Sequence, residues 1–226
     1  MLKALVFDMD GTITELTLPL EDMREDTKKY YIEHGFPAEL LEPADGISSS
    51  TAKAKDYFLS NGVQLSDWEQ MEAEVDQILS QHEGFAAASA VLIEGTLDIV
   101  NRIRQAGMLT AILTNNGRSS VDKIMQQLPI ANHFDIIQTR HESPQPKPYP
   151  DGLLKIALQL GVDLDEMVYV GDALIDAAAA NRAGIEFWGV ATGETPADVL
   201  QNAGASIVFH SLEGVLREVL VRSKGH

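Results

Sequence analysis

Cysteine is missing altogether from the 226 residues of this chain. That excludes disulfides and thiolate metal sites, and makes the cytoplasm the expected compartment. No apolar run approaches the length of a membrane span, and Asp8 comes too early for a secretory leader to be expected. Positive charge is scarce: 17 Lys and Arg stand against 34 Asp and Glu, for a formal net charge of −17. A surface that acidic repels nucleic acid phosphates and anionic lipid headgroups, so neither nucleic acid nor membrane is expected as a partner. An anionic ligand would need a local positive site to overcome the global field. Also absent are a GxxxxGK[ST] loop, a GxSxG elbow and an HExxH pair, which removes the commonest nucleotide, serine and zinc alternatives. The six histidines, His34, His82, His133, His141, His210 and His226, fall into no metal-ligand spacing.

What is present is an ordinary globular composition, 45% hydrophobic and 23% charged, long enough for one domain with an insertion or two small ones. Apolar runs of strand length occur at Leu2–Phe7, Leu109–Leu113, Phe134–Gln138, Met167–Val170, Glu186–Val190 and Ser206–Phe209. Helical patterns separate them at Gly95–Ala106, Ser119–Leu128, Asp151–Leu160, Ala173–Ala183 and Pro196–Ala203, and a last helix is expected over Leu212–Val221. Gly107, Gly161, Gly184 and Gly204 each follow a helix, where a left-handed cap favours glycine. Short apolar strands alternating with helices predict an α/β fold, a parallel, doubly wound sheet covered on both faces. Residues 15–87 break the rhythm: no strand pattern, and helix candidates at Leu20–His34, Ser50–Ser60 and Ser66–His82. They read as a helical insertion, leaving 1–14 and 88–226 as the core.

In "LVFDMDGTIT" two carboxylates, Asp8 and Asp10, end the first strand. Side chains two apart on extended backbone point the same way, so these two are expected to converge. Like charges that close resist ionising together unless a positive charge sits between them. Three other places fall at or beyond strand ends: Thr114-Asn115-Asn116-Gly117, Lys147 in "QPKPYPD", and Asp172 with Asp176 in "VYVGDALIDAAAA". Ligands of open parallel sheets bind outside the carboxyl ends of the strands, so all four can share one crevice.

Each has a plainer alternative. Lys147 could be a solvated side chain in a proline-rich linker, although Pro146 and Pro148 stiffen the backbone that presents it. Asp172 and Asp176 could be a helix cap and a first-turn dipole partner. Thr114 and the amides after it could bind phosphate at a helix amino terminus, or only form a turn, with Asn116 read as capping the helix. Asp8 and Asp10 could form an Asx-type turn around Gly11, which leaves the other three places unexplained. Taken together, Asp8, Asp10 and Asp172 make a hard-oxygen site suited to Mg²⁺, and Lys147 supplies the amine. Asp8 can then attack phosphorus to form an aspartyl-phosphate, while Asp10 protonates the leaving alcohol and later takes a proton from water. Mg²⁺, Lys147, Thr114 and turn amides would neutralise the charge of phosphoryl transfer.

These residues resemble the haloacid dehalogenase-like superfamily: "DMDGT", "LTN", "KPYPD" and "GDALID" match its four motifs, in order, on both sides of the insertion. The resemblance implies a Rossmann-like core, a helical cap and Mg²⁺-dependent phosphoryl transfer. By position, Asp8 is the nucleophile and Asp10 the acid/base. Asp8, the Asp10 carbonyl and Asp172 would hold Mg²⁺, with Asp176 in support. Thr114, Asn115 and Lys147 would bind the substrate phosphate. Asp10 argues against dehalogenation and phosphonate cleavage, and the pattern looks most like the phosphoglycolate phosphatase and β-phosphoglucomutase group. "DGISSSTAKAK" lacks the arginine by which mutases grip a second phosphate, and Glu15 stands where a "DS" pair is familiar. Lys53 and Lys55 could reach a second anion or simply face solvent, and Tyr30, Tyr31 and Phe36 suit the core of the cap. The expected activity is hydrolysis of a small phosphorylated metabolite by a monomer or homodimer. A phosphosugar mutase and a non-catalytic phospho-switch module, such as a receiver domain, are the alternatives.

Overall fold

A computed structural model describes residues 1–224, and His226 therefore lies outside the described residues. All four residues of β1 (Ala4–Phe7) are buried. A strand covered on both faces needs apolar side chains on both, so its sequence does not alternate. The other strands are β2 (Leu109–Leu113), β3 (Ile136–Gln138), β4 (Met167–Gly171), β5 (Glu186–Val190) and β6 (Ile207–Phe209). All pair in parallel, in the order β3-β2-β1-β4-β5-β6. Strand order reverses between β1 and β4, the place where a doubly wound sheet opens a crevice. Phe7 is in register with Ile112 of β2 and with Val170 of β4.

The helices are α1 (Leu20–Glu33), α2 (Ile47–Ser60), α3 (Leu65–Ala87), α4 (Thr96–Gln105), α5 (Arg118–Gln127), α6 (Asp151–Leu160), α7 (Leu174–Ala183), α8 (Ala197–Asn202) and α9 (Leu212–Lys224). Ala4, Val6, Leu113, Tyr169 and Phe187 form one apolar cluster with Ile156 of α6, Ala180 of α7 and Leu200 of α8. Burying such side chains contributes roughly 1.5–3 kcal/mol each for the larger ones. Leu5 and Phe7 point to the other face, where Phe7 meets Phe134 edge-on at 6.0 Å. There α4 and α9 pack on each other and on β2 and β6. Among the described residues no helix is long and apolar enough to cross a membrane.

The chain divides into two compact units, Met1–Thr17 with Ser89–His226, and Leu18–Ala88. The division falls past Thr14 because Thr14 bridges Leu92 and the Glu15 amide donates to the Val91 carbonyl, which ties both residues to the sheet unit. The second unit is α1, α2 and α3 around their own core, including Met23, Tyr31, Phe58, Trp68 and Leu79. Tyr30, Tyr31 and Phe36 belong to that core, with Tyr31 stacked on Trp68 at 5.9 Å. Helix α3 continues to Ala87 through Gly84, past the expected end at His82. An interior glycine costs a helix only about 1 kcal/mol, which the burial of Ala86 and Ala87 offsets.

Candidate active site

Strand β1 stops at Phe7, and the Asp8 amide makes one more sheet bond, to the Val170 carbonyl at 2.8 Å. Asp8 thus stands at the carboxyl end of β1, beside the end of β4, where Asp172 follows Gly171. Lys147 Nζ joins three elements. It donates to Asp8 Oδ1 at 2.5 Å, to Asp176 Oδ1 at 2.7 Å and to Tyr169 Oη at 3.0 Å. The Tyr169 hydroxyl in turn donates to Asp176 Oδ1 at 2.8 Å. Asp176 lies in the first turn of α7, fully buried, and its other oxygen accepts the Ala173 amide at 3.0 Å. Asp172 accepts from Thr12 Oγ1 at 3.0 Å and from the Glu194 amide at 2.7 Å. Carboxylate oxygens of Asp8, Asp172 and Asp176 all lie within 4.8 Å of one another, the one such grouping among the described residues that could hold a metal ion.

One ammonium cannot neutralise three buried carboxylates, and Asp8 and Asp172 are shifted accordingly. Burial pushes Asp8 well above the usual carboxylate range; Lys147 opposes this, while Asp176, Asp172 and Asp10 add to it. Asp172 is pushed up to about 7, by burial first and then by Asp176. Burial would lower Lys147, yet Asp176 and Asp8 outweigh it and raise the amine above its ordinary value, so Lys147 stays charged. Surplus negative charge on hard oxygens fits a divalent cation by charge and by ligand type.

Asp10 is placed differently from the sequence expectation. The extended backbone ends at Phe7, and Asp10 sits in a turn bridged to Thr14, so the alternation that would align it with Asp8 does not reach it. Its Oδ2 accepts Asn116 Nδ2 at 2.7 Å, and the carboxylate that joins Asp8 and Asp172 is that of Asp176. Asn116 does not cap α5, whose N-cap is Gly117 without a side-chain bond. Thr114 is buried at the end of β2, and its hydroxyl accepts the Asn116 amide at 3.0 Å. The Asn115 side chain clasps the Lys147 backbone, donating to its carbonyl at 2.8 Å and accepting from its amide at 3.0 Å. The Lys147–Pro148 peptide is cis.

Several residues of the site carried no signal in the sequence. Tyr169 reads as strand core, yet its hydroxyl joins the lysine network. The loop after β5, "ATGETP", reads as a plain turn, yet Glu194 and Thr192 bond to Asp172 and to the Gly11 carbonyl. A Cβ on Gly193 would lie 2.0 Å from Asp172 Oδ2 and 2.8 Å from the Gly11 Cα, so only glycine fits there. No pattern of periodicity or charge reports so close an approach.

Residues 2–184 match the family described as haloacid dehalogenase-like hydrolase. The N-acetylmuramic acid 6-phosphate phosphatase of Pseudomonas aeruginosa is 27% identical over 208 residues, 92% of this chain and 90% of that protein. The phosphoglycolate phosphatase of Pseudomonas putida is 25% identical over 221 residues, 95% of this chain and 78% of that one. Among solved structures, a hydrolase from Pseudomonas syringae superposes with a TM-score of 0.70 at 22% identity, covering 97% of this chain and 98% of its own. At that identity the likeness speaks for the fold.

Proposed function

The chain belongs to the haloacid dehalogenase-like hydrolases, and from that footing we propose that it is a Mg²⁺-dependent phosphatase acting on a small phosphorylated metabolite, of the phosphoglycolate or sugar-phosphate kind. The observation that carries the reading is the Lys147 ammonium shared between Asp8 and Asp176, beside Asp172, at the carboxyl ends of β1 and β4. The names of the relatives, a sugar-acid phosphate phosphatase and a phosphoglycolate phosphatase, support the substrate class. The helical unit Leu18–Ala88 would serve as the cap, and the lack of cysteine supports a cytoplasmic location.

Asp8, Asp172 and the Asp10 carbonyl would hold Mg²⁺, with Asp176 in support; when bound, the ion would neutralise charge on the transferring phosphoryl group. An Asp8 oxygen attacks phosphorus while the ester P–O bond breaks, its electron pair staying on the leaving oxygen. Asp10, protonated, gives its proton to that oxygen, and the alcohol departs. A water then gives a proton to Asp10 and attacks the aspartyl-phosphate, which restores the Asp8 carboxylate and releases inorganic phosphate. Lys147, kept charged by its neighbours, and the Thr114 hydroxyl bind the phosphoryl oxygens, and Asn115 holds Lys147 in place.

Release of phosphate from p-nitrophenyl phosphate, phosphoglycolate and N-acetylmuramic acid 6-phosphate tests the reading. With Mg²⁺ at least one should turn over. EDTA should stop it, and Asp8→Asn should cost roughly a thousandfold or more in kcat. Turnover that survives Asp8→Asn overturns the nucleophile. No turnover of any ester favours the phospho-switch reading.

A further inference from the structure

Asn116 is 3% exposed, and its side-chain amide donates to a carboxylate 106 residues away, Asp10 Oδ2, at 2.7 Å. The residue is itself pinned at both backbone groups. Its amide donates to Thr114 Oγ1 at 3.0 Å, and its carbonyl accepts the Arg140 amide at 3.1 Å. These bonds fix it between the residue that follows β2 and the turn that follows β3. Asp10 lies in a turn beyond the end of β1, where the Gly11 amide donates to the Thr14 carbonyl at 2.8 Å and the Thr14 amide to the Met9 carbonyl at 2.9 Å. The Thr14 hydroxyl reaches Asp10 Oδ1 only at 3.5 Å and lies nearer the Met9 carbonyl, at 3.2 Å.

We propose that Asn116 is a positioning residue for proton transfer: it holds the Asp10 carboxyl group in the orientation that serves the leaving oxygen. The inference rests on the acid/base role assigned to Asp10 above. General acid catalysis works within about 2.6–3.2 Å and fails when the carboxyl group can turn away. A buried amide donor on Oδ2 restricts that rotation and ties the carboxyl group to the turn after β2. Capping or solubility would not select a donor at this position; a bond to a carboxylate does.

The test separates esters by how much they need an acid. Nitrophenolate leaves phosphorus unaided, whereas phenolate and alkoxides need a proton as they leave. For a reaction through a covalent intermediate, kcat/KM reports the steps up to alcohol release, so hydrolysis of the aspartyl-phosphate does not enter the comparison. We compare p-nitrophenyl phosphate, phenyl phosphate and phosphoglycolate with Asn116→Ala, with Asn116→Leu, which has a similar shape and no donor, and with Asp10→Asn. In each variant kcat/KM should fall more for the phenyl and alkyl esters than for the nitrophenyl ester. The difference should be about 10²-fold or more for Asp10→Asn and roughly tenfold for the Asn116 variants. Calorimetric Mg²⁺ affinity should stay as in the parent. If Asp10→Asn splits the esters and the Asn116 variants lower all of them equally, or lose Mg²⁺, the positioning role is wrong and the acid role stands. If Asp10→Asn shows no split, the acid role fails and this inference falls with it. Should Asn116→Ala not fold, Asn116→Leu decides the outcome alone.

Discussion

Asp172 is held firmly by its neighbours. Thr12 and Glu194 occupy its two oxygens, and Gly193 and Gly11 pass so close that a methyl group on either would overlap it. A carboxylate so held would meet a cation pre-oriented, since it has no rotamer left to lose on binding. Gly193→Ala therefore forces either Asp172 or the loop after β5 to move. Overpacking of this kind typically costs about 1–3 kcal/mol. Chemical denaturation should show that loss, and a Mg²⁺ titration by calorimetry should show weaker binding. A variant as stable as the parent, with the same metal affinity, would mean that the loop yields freely and does not set Asp172.

The elements around the site are joined by side-chain clasps as much as by the sheet. Asn115 binds both backbone groups of Lys147 across 32 residues, and so ties the turn after β2 to the proline-rich segment before α6. Asn115→Ala leaves the Lys147 amide and carbonyl without that partner. A buried donor left unpaired costs about 1–3 kcal/mol, and the looser segment presents the ammonium less well. Thermal denaturation should register the loss, and inhibition by inorganic phosphate should weaken several-fold; unchanged inhibition would show that the proline-flanked backbone alone positions the amine. The strands were legible because β1 and β4 are buried on both faces, and burial of that kind writes itself as an unbroken apolar run. Lys147 and Asp172 were legible because strand ends of a parallel sheet share a crevice. The triad was only partly so: periodicity pairs Asp8 with Asp10, but a strand that ends at Phe7 hands the third place to Asp176, from the first turn of α7. Asn116 looked like a cap because its partner lies 106 residues away, and no local pattern reports such a contact.

At the scale of the whole molecule, a net charge of −17 has to be carried by a chain with few cations, and two carboxylates outside the site each gather an arginine and further donors. Glu142 takes both Arg118 Nε and Nη2 at 2.9 Å and both polar groups of Thr139 at 2.6 Å, while Lys155 Nζ donates to its backbone carbonyl. That one residue joins the start of α5 and the middle of α6 to the end of β3. Glu186 of β5 takes Arg222 of α9 at 2.7 and 2.8 Å, with Trp188 and Ser206 also donating. Burial works against ionising Glu142, but Arg118 and Thr139 outweigh it and hold the group at about 2. Arg222 first, against burial, does the same for Glu186, also at about 2. The unfolded chain titrates these groups near 4.5, so between 4.5 and 2 it binds more protons than the folded one, and stability falls as the pH falls. Their contribution is complete above about pH 5 and gone once both are protonated in the fold. The share of the melting temperature that these two groups supply, read as the difference between the parent and a variant lacking the carboxylate, should thus hold from neutrality to about pH 5 and then drop. Glu142→Gln and Glu186→Gln should each lower the melting temperature at pH 6 and by clearly less near pH 2.5. A deficit of the same size at both pH values would place the cost of these substitutions in packing rather than in charge.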